Sequence, residues 1–539
     1  MGTLVATDLG RNTITAEFTP ASLAESAFPH SVTRLEVRET PVSWVILTGS
    51  FAYKIKKAVK LDFLDASTLA RRRYLCAEEL RLNRRLAADL YLDVVAITRE
   101  TDGVRVGGGS GEVIEYAVRM KQFEPSQELV ALLERGEVSH HEFVDLARRL
   151  AHFHDTAPKA PIDEEFSHTA DLQRAVLGNL AILLSHLDAD TTLPEMAFLI
   201  DWTHDYLHDS LAQLRVREQG GAIRECHGDL HAHNIARWCA RLVPFDCLEF
   251  DPKLRWIDVM NDVAFLVMDL TARGRKDLAF VFLNAYLECT GDYAGVRHLS
   301  FYSVYRALVR AMVDSLGASE DSAHRHEFQN RLRMRVKAAA TYVDRSAPTL
   351  FIMHGLSGSG KSWLSERLVP QLGAVRIRSD VERKRAEGLP TSRVHDIGPE
   401  EGLYTPKINR RTYAHLLECT QSCLKGGVDT LVDAAFLSGE NRRSFRDLAL
   451  REGCRFIILA CEADPVVLTR RIEKRRRLGV DPSDASVEVL DRQLQTREPL
   501  KADEQSDVIV VDTTEVHSVQ NAFAAIQDRL ESTITEPPT

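Results

Sequence analysis

The spacing of apolar residues changes along this chain, and each change predicts a different kind of element. Between Thr40 and about Val118 it alternates as in strands, in PVSWVIL, FAYKIKKAV, LDVVAIT, VRV and VIEYAVRM, with a TGS turn early and a glycine-rich turn at Gly107 to Gly111. One helix interrupts, about Ser67 to Ala88, carrying a dense row of arginines over Leu69, Leu75, Leu82 and Leu86. From Ser126 to Leu214 apolar residues recur three and four apart, in LVALLERG, HEFVDLARRLAHFH and LGNLAILLSHL, and a second helical stretch runs from Asp258 to about Val343. A sheet followed by helices is an α+β arrangement. After Pro348 the segments TLFIMHG, AVRIRSD, VDTLVDAAF, RFIILACEA and DVIVVDT alternate with helical patterns, which predicts an α/β domain with a five-stranded parallel sheet. The expected domains are 1–345, with a core at about 40–316, and 346–539.

Composition narrows the class. A chain of 539 residues exceeds one hydrophobic core, and 44% apolar with 27% charged residues is the balance of a globular protein. With 68 Lys and Arg against 78 Asp and Glu, the net charge of −10 would be repelled by nucleic acid or an anionic membrane, so neither is an expected partner. No apolar run approaches the roughly 18 residues of a membrane span. The start MGTLVATDLG lacks a basic stretch before an apolar one, and Ala6 stands where a myristoylation signal needs Ser or Thr, so a cytoplasmic protein is expected. Nine cysteines without a CxxC pair announce neither a disulfide framework nor a zinc ribbon, and Cys419 and Cys423, four apart on a helix, read as core packing.

Two stretches carry chemistry. Gly355-Leu-Ser-Gly-Ser-Gly-Lys-Ser362 satisfies GxxxxGK[ST] between a strand and a helix, so backbone amides from Gly355 through Ser357, Gly358, Ser359 and Gly360 are expected to face phosphate oxygens. Lys361 would reach the β/γ-phosphates and Ser362 would hold Mg²⁺. Asp380, ending the second strand of this half, could accept a hydroxyl proton, with Arg383 beside it for an anionic substrate. Asp433 closes the strand TLVD where a carboxylate near Mg²⁺ would sit, and Arg471 and Arg475 lie on a helix suited to a lid over transferring phosphates.

The other stretch is CHGDLHAHN, followed by FDCLEF and WIDVMNDVAFL. Asp229 could take the proton of an acceptor hydroxyl while Asn234 and Asp246 hold Mg²⁺ against ATP phosphates. This reading requires a basic partner upstream: Lys54, with Lys56 as its competitor on the same strand face, and Glu79 as the lysine's ion-pair mate. Glu78 competes with Glu79, which is preferred because Leu82 and Leu86 anchor its side of the helix. A metal cluster of His227, His231 and His233 would leave Gly228, Asp229 and Asn234 without a role.

These motifs resemble two families. HGDLHAHN with FDCLEF and WIDVMNDVAFL resembles the aminoglycoside phosphotransferases, an offshoot of the protein-kinase fold. That likeness implies a bilobal domain with Asp229 as base, Asn234 and Asp246 as metal ligands, Glu249 assisting, and Asp258 and Asp262 ordering the catalytic loop. One departure is that Gly49 stands alone where a glycine-rich lid over the phosphates would lie. The last 190 or so residues resemble small-molecule P-loop kinases near gluconate kinase, shikimate kinase and the zeta toxins. Together they imply a fused, ATP- and Mg²⁺-dependent kinase acting on small hydroxylated molecules, with two catalytic sites or with one site gated by a nucleotide-sensing domain.

Overall fold

The computed structural model describes residues 18–61, 64–161, 167–186, 194–320, 325–343, 347–390, 405–478 and 487–532, with the side chains at 314–329, 331, 475, 476 and 478 outside the description. Internal contacts divide the chain into two compact units, one ending at Asp269 and resuming over Phe301–Val343, the other made of Leu270–Ser300 and the residues after Val343. The segment 270–300, which the hydrophobic pattern assigns to the first domain, therefore has its contacts in the second. Among the described residues no helix is long and apolar enough to cross a membrane.

The first unit opens with a six-stranded antiparallel sheet. Its strands are β1 (Glu36–Glu39), β2 (Ser43–Leu47), β3 (Phe51–Lys56), β4 (Tyr91–Glu100), β5 (Gly103–Val106) and β6 (Glu112–Lys121), in the order β1-β2-β3-β6-β4-β5. Strand β1, sequence EVRE, has one apolar residue and no buried position, which is why no apolar pattern announces it. Along β3 the two-residue period puts Tyr53 and Ile55 into a core with Ile46, Ile97 and Ala117. Lys54 and Lys56 take the opposite face.

Helix α1 (Leu69–Ala87) meets that face. Its buried positions Arg72, Leu75, Cys76, Glu79, Leu82 and Asn83 repeat three and four apart, so Glu79 shares the inward stripe and Glu78 does not. The arginine row has defined partners: Arg72 pairs with Glu115 at 2.7 Å, Arg81 with Glu225 at 2.7 Å, and Arg85 donates to the carbonyls of Glu225 and Cys226.

Helices α2 (His140–Thr156), α3 (His168–His186) and α4 (Pro194–Gln219) follow, α2 starting on a Ser139/Glu142 capping box. Next come β7 (Ile223–Glu225), a hairpin of β8 (Ile235–Trp238) and β9 (Arg241–Pro244), then β10 (Trp256–Asp258) pairing back on β7. Helices α5 (Val259–Ala272), α6 (Lys276–Thr290), α7 (Leu299–Glu320) and α8 (Arg325–Ala340) complete the stretch, α6 belonging to the second unit.

That unit is built on β11 (Thr349–His354), β12 (Val375–Arg378), β13 (Thr430–Asp433), β14 (Arg455–Glu462) and β15 (Val508–Asp512), parallel, in the order β12-β13-β11-β14-β15. Its core holds Phe351, Met353, Leu364, Leu368, Leu431 and Ile457, and each such side chain stabilises by roughly 1.5–3 kcal/mol relative to exposure. The edge strand β12 is covered by α6. The side-chain amide of Asn284 donates to Ala374 O (2.9 Å) and accepts from Arg376 N (2.6 Å), standing in for a neighbouring strand, and Glu288 receives Arg378 at 2.7 Å. The chain leaves the central strand β11 for β12 on one side, while β14 lies on the other, so the loop after β11 sits at the switch point where ligands of open α/β sheets bind.

Candidate functional site

In the first unit five ionisable side chains converge between β3, α1 and the segment after β9. Lys54 Nζ lies 2.9 Å from Glu79 and 2.5 Å from Asp246, and Lys56 Nζ lies 2.5 Å from both Glu79 and Glu249. Glu79 divides its oxygens between the two lysines, whereas Glu78 pairs with Arg81 at 2.8 Å. Burial alone would lower Lys54, but the carboxylates of Asp246, Glu79 and Glu249 outweigh it and hold the ammonium well above the usual lysine range. Burial opposes the ionised form of Asp246, and Lys54 overrides it and keeps the carboxylate depressed.

The hairpin gathers the rest. Ile235 pairs with Pro244, so Asn234 and Asp246 flank its open end, and Phe245 N–H donates to Asn234 O at 2.9 Å. Asp246 adopts a left-handed backbone, φ +64°, a costly state for a non-glycine residue, with its N–H on the Tyr91 hydroxyl and the next N–H on Asn83. Asn234 Nδ2 donates to Asp229 Oδ2 at 2.8 Å. The His233 N–H rests on His231 Nδ1, and His231 Nε2 lies 3.3 Å from both Asp229 Oδ2 and a guanidinium nitrogen of Arg310. Burial works against Asp229's charge, yet His231 and, more weakly, Arg310 hold it well below the usual carboxylate range.

Asp262, on α5, accepts the N–H groups of His227 and Gly228 at 3.0 Å each and so orders this loop as expected. Asp258 is engaged differently: it receives the Arg217 guanidinium at 2.6 and 2.7 Å and the Tyr302 hydroxyl at 3.1 Å, tying α4 to α7. Gly228 has φ +85° and a Cβ there would stand 2.7 Å from Leu254 O, so the loop requires glycine. His227 Nε2 faces Phe245 O at 3.0 Å and His231 Nε2 faces Asp229, so these two rings take separate protein partners, and among the described residues the three histidines do not form a metal-binding group.

In the second unit the loop Gly355–Gly360 curls before α9 (Lys361–Leu372), with Gly358 at φ +83° and Gly360 at φ +89°. A Cβ on Gly358 would lie 2.7 Å from Leu468 O. Lys361 Nζ donates to Gly355 O and Leu356 O at 2.9 and 2.8 Å. Ser362 and Ser365 both donate to the buried Asp433, at 3.2 and 3.1 Å, so the predicted pair Ser362 and Asp433 meets. Hydroxyl and carboxylate oxygens without nitrogen or sulfur are the donor set Mg²⁺ takes, and the buried Ser359 Oγ has no hydrogen-bond partner among the described residues, which fits a phosphate oxygen beside it.

Residues 350–500 match the AAA domain family model. Uncharacterized proteins of Mycobacterium tuberculosis and Mycobacterium bovis are 28% identical over 455 residues, covering 84% of this chain and 88% of theirs. Among solved structures, a gluconokinase from Sinorhizobium meliloti is 21% identical, covers 35% of this chain and 98% of its own, and has a TM-score of 0.26. A choline/ethanolamine kinase family protein from Mesorhizobium loti is 13% identical over 58% of this chain and 88% of its own, TM-score 0.36.

Other expected residues lie as follows. Asp380 is not at a strand end but in the first turn of α10 (Ser379–Ala386), because β12 stops at Arg378; Arg383, one turn on, stands 3.5 Å from it and donates to Asn409. Arg471, on α11 (Pro465–Leu478), is braced against the phosphate loop, donating to Gly358 O (3.3 Å) and to Thr513 Oγ1 and O (2.9 and 3.0 Å). The side chain of Arg475 lies outside the described residues. Two residues carried no motif and emerge only in three dimensions. Gln493, on α12 (Val487–Thr496), accepts the Ser357 N–H at 2.8 Å, and fully buried Arg442 ties Phe436 O to Glu504 and Pro499 O near the end of β13. The contacts to Ser357, Glu504 and Pro499 cross more than fifty residues of sequence, which leaves no local spacing to read.

Proposed function

We propose that this chain is an ATP- and Mg²⁺-dependent phosphotransferase with two nucleotide sites, acting on hydroxyl groups of small molecules. The observation that carries the reading is Lys54, bonded at once to Glu79 on α1 and to Asp246 beside the hairpin, while Asn234 reaches Asp229. In this reading Lys54 exchanges Asp246 for phosphate oxygens when nucleotide arrives. Magnesium, when bound through Asn234 and Asp246, neutralises charge on the β- and γ-phosphates. Asp229 accepts the hydroxyl proton as the acceptor oxygen bonds to the γ-phosphorus and the bond to the ADP oxygen breaks. Its depressed carboxyl is ionised at neutral pH and ready for that proton.

In the P-loop unit, Lys361 would leave Gly355 O and Leu356 O for the phosphates, and Ser362 with Asp433 would hold the metal. Arg471, fixed on Gly358, supports the loop, and Asp380 with Arg383 faces the acceptor. A second reading, a P-loop unit that senses nucleotide and gates the first, draws on Gln493 and the loop carbonyls already engaging Ser357 and Lys361.

The test is to incubate the full chain, Asp229→Ala and Lys361→Ala with pooled metabolites and γ-labelled ATP. Two catalysts give a different missing product with each variant. A sensor gives one product, lost in Asp229→Ala and altered in rate by Lys361→Ala. Label on protein rather than on small molecules overturns the acceptor assignment.

A further inference from the structure

We propose that Lys56 is a positioning residue for the first site: it keeps Glu79 and Glu249 paired, so that Lys54 is free to leave its carboxylates for phosphate. The inference rests on the phosphotransferase reading of that site. The groups form a chain Asp246–Lys54–Glu79–Lys56–Glu249, in which every link is 2.9 Å or shorter. Lys56 is 2% exposed and Glu79 is fully buried, so these charges have little water to fall back on.

With one lysine the site would face a conflict. A buried carboxylate that loses its only cation pays a desolvation cost of several kcal/mol, which would hold Lys54 in place against an incoming nucleotide. Lys56 removes the conflict. It ion-pairs with the second oxygen of Glu79, Oε2, and leaves Oε1 to Lys54, so Glu79 remains paired whichever partner Lys54 takes. Glu249 completes the arrangement as the second anchor of Lys56. Burial raises the Glu249 carboxyl and Lys56 opposes that rise, in keeping with a pair that depends on its lysine.

The experiment uses the full chain carrying Lys361→Ala, so that the P-loop binds more weakly and the first site is read separately, and measures calorimetric binding of a nonhydrolysable ATP analogue with Mg²⁺. Lys56→Met is expected to weaken binding at least tenfold, because Glu79 and Glu249 then both compete for Lys54. Adding Glu249→Gln removes one competitor, so the double variant binds more tightly than Lys56→Met alone. A residue that only supports the fold gives no such rescue. Affinity of Lys56→Met within twofold of its parent, or a double variant no tighter than the single, overturns the proposal. If Lys56→Met does not fold, the double variant is compared with Glu249→Gln: tenfold weaker binding supports the proposal and a difference within twofold overturns it. Lys54→Met in the same background separates the two claims. If it leaves affinity unchanged, the phosphotransferase reading of this site fails and this inference with it; if it abolishes binding while Lys56→Met is silent, only the role of Lys56 fails.

Discussion

In the proposed reading, the two candidate sites meet one chemical problem with different materials. The first collects Lys54, Glu79, Asp229, Asn234 and Asp246 from a strand, a helix, a loop and a hairpin spread over almost 200 residues, and satisfies their charges against one another. The second takes most of its groups from the eight residues Gly355–Ser362, whose donors are largely backbone amides, with Asp433 and the brace of Arg471 brought in from elsewhere. A site of side-chain charges depends on how its elements pack, whereas a site of amides depends on glycine geometry in one loop. The first should therefore respond to changes far from it, and the second to changes within it.

The largest break in that comparison should come from Asp229→Ala, which is expected to lower transfer at the first site by roughly 10²–10⁴-fold, read as loss of its labelled product, with nucleotide affinity little changed. Lys361→Ala removes charge-assisted contacts worth about 1.5–3 kcal/mol, so nucleotide affinity at the P-loop should fall roughly 10- to 150-fold in calorimetry while the first site keeps its own.

Remote sensitivity is tested by Glu225→Gln. Glu225 lies outside the cluster but receives Arg81, Arg85 and Arg255, and although burial opposes its charge these arginines hold it down to about 2. A depressed carboxyl stabilises the fold above its unfolded pKa, about 4.3, and loses that contribution as pH falls toward 2. The variant should be about 3 kcal/mol less stable in denaturant titrations at pH 7, with the difference shrinking below about pH 4.5. The smallest effect is expected from Gln493→Ala, which removes a competitor for the Ser357 N–H: P-loop affinity should stay within about threefold of the parent, and a tenfold loss would place Gln493 among the ligand's partners instead.

Much of this was legible in the sequence, for reasons that differ by site. The P-loop and its flanking β11 and α9 follow from local spacing, as does Asp433 at the end of an apolar strand. The choice of Glu79 over Glu78 was readable from the three-and-four repeat of α1. The contest between Lys54 and Lys56 was not, because both share one strand face and the structure employs both, through Glu249 on a distant segment. The transfer of 270–300 to the second unit was equally hidden: α6 has an ordinary helical pattern, and only Asn284 and Glu288 meeting β12 reveal where it packs. Gln493, Arg442 and the brace made by Arg471 are long-range contacts of the same kind.

The hydrogen bond from Ser357 to Gln493 has a thermodynamic corollary. An empty phosphate loop with this donor bare would rely on solvent to hold its curl, but here a glutamine amide occupies the position as a placeholder. In the proposed reading a nucleotide arriving there would swap one acceptor for another, so its gain at Ser357 would be only the margin by which an anionic oxygen outbids a neutral amide, and discrimination among nucleotides would arise at other atoms of the loop.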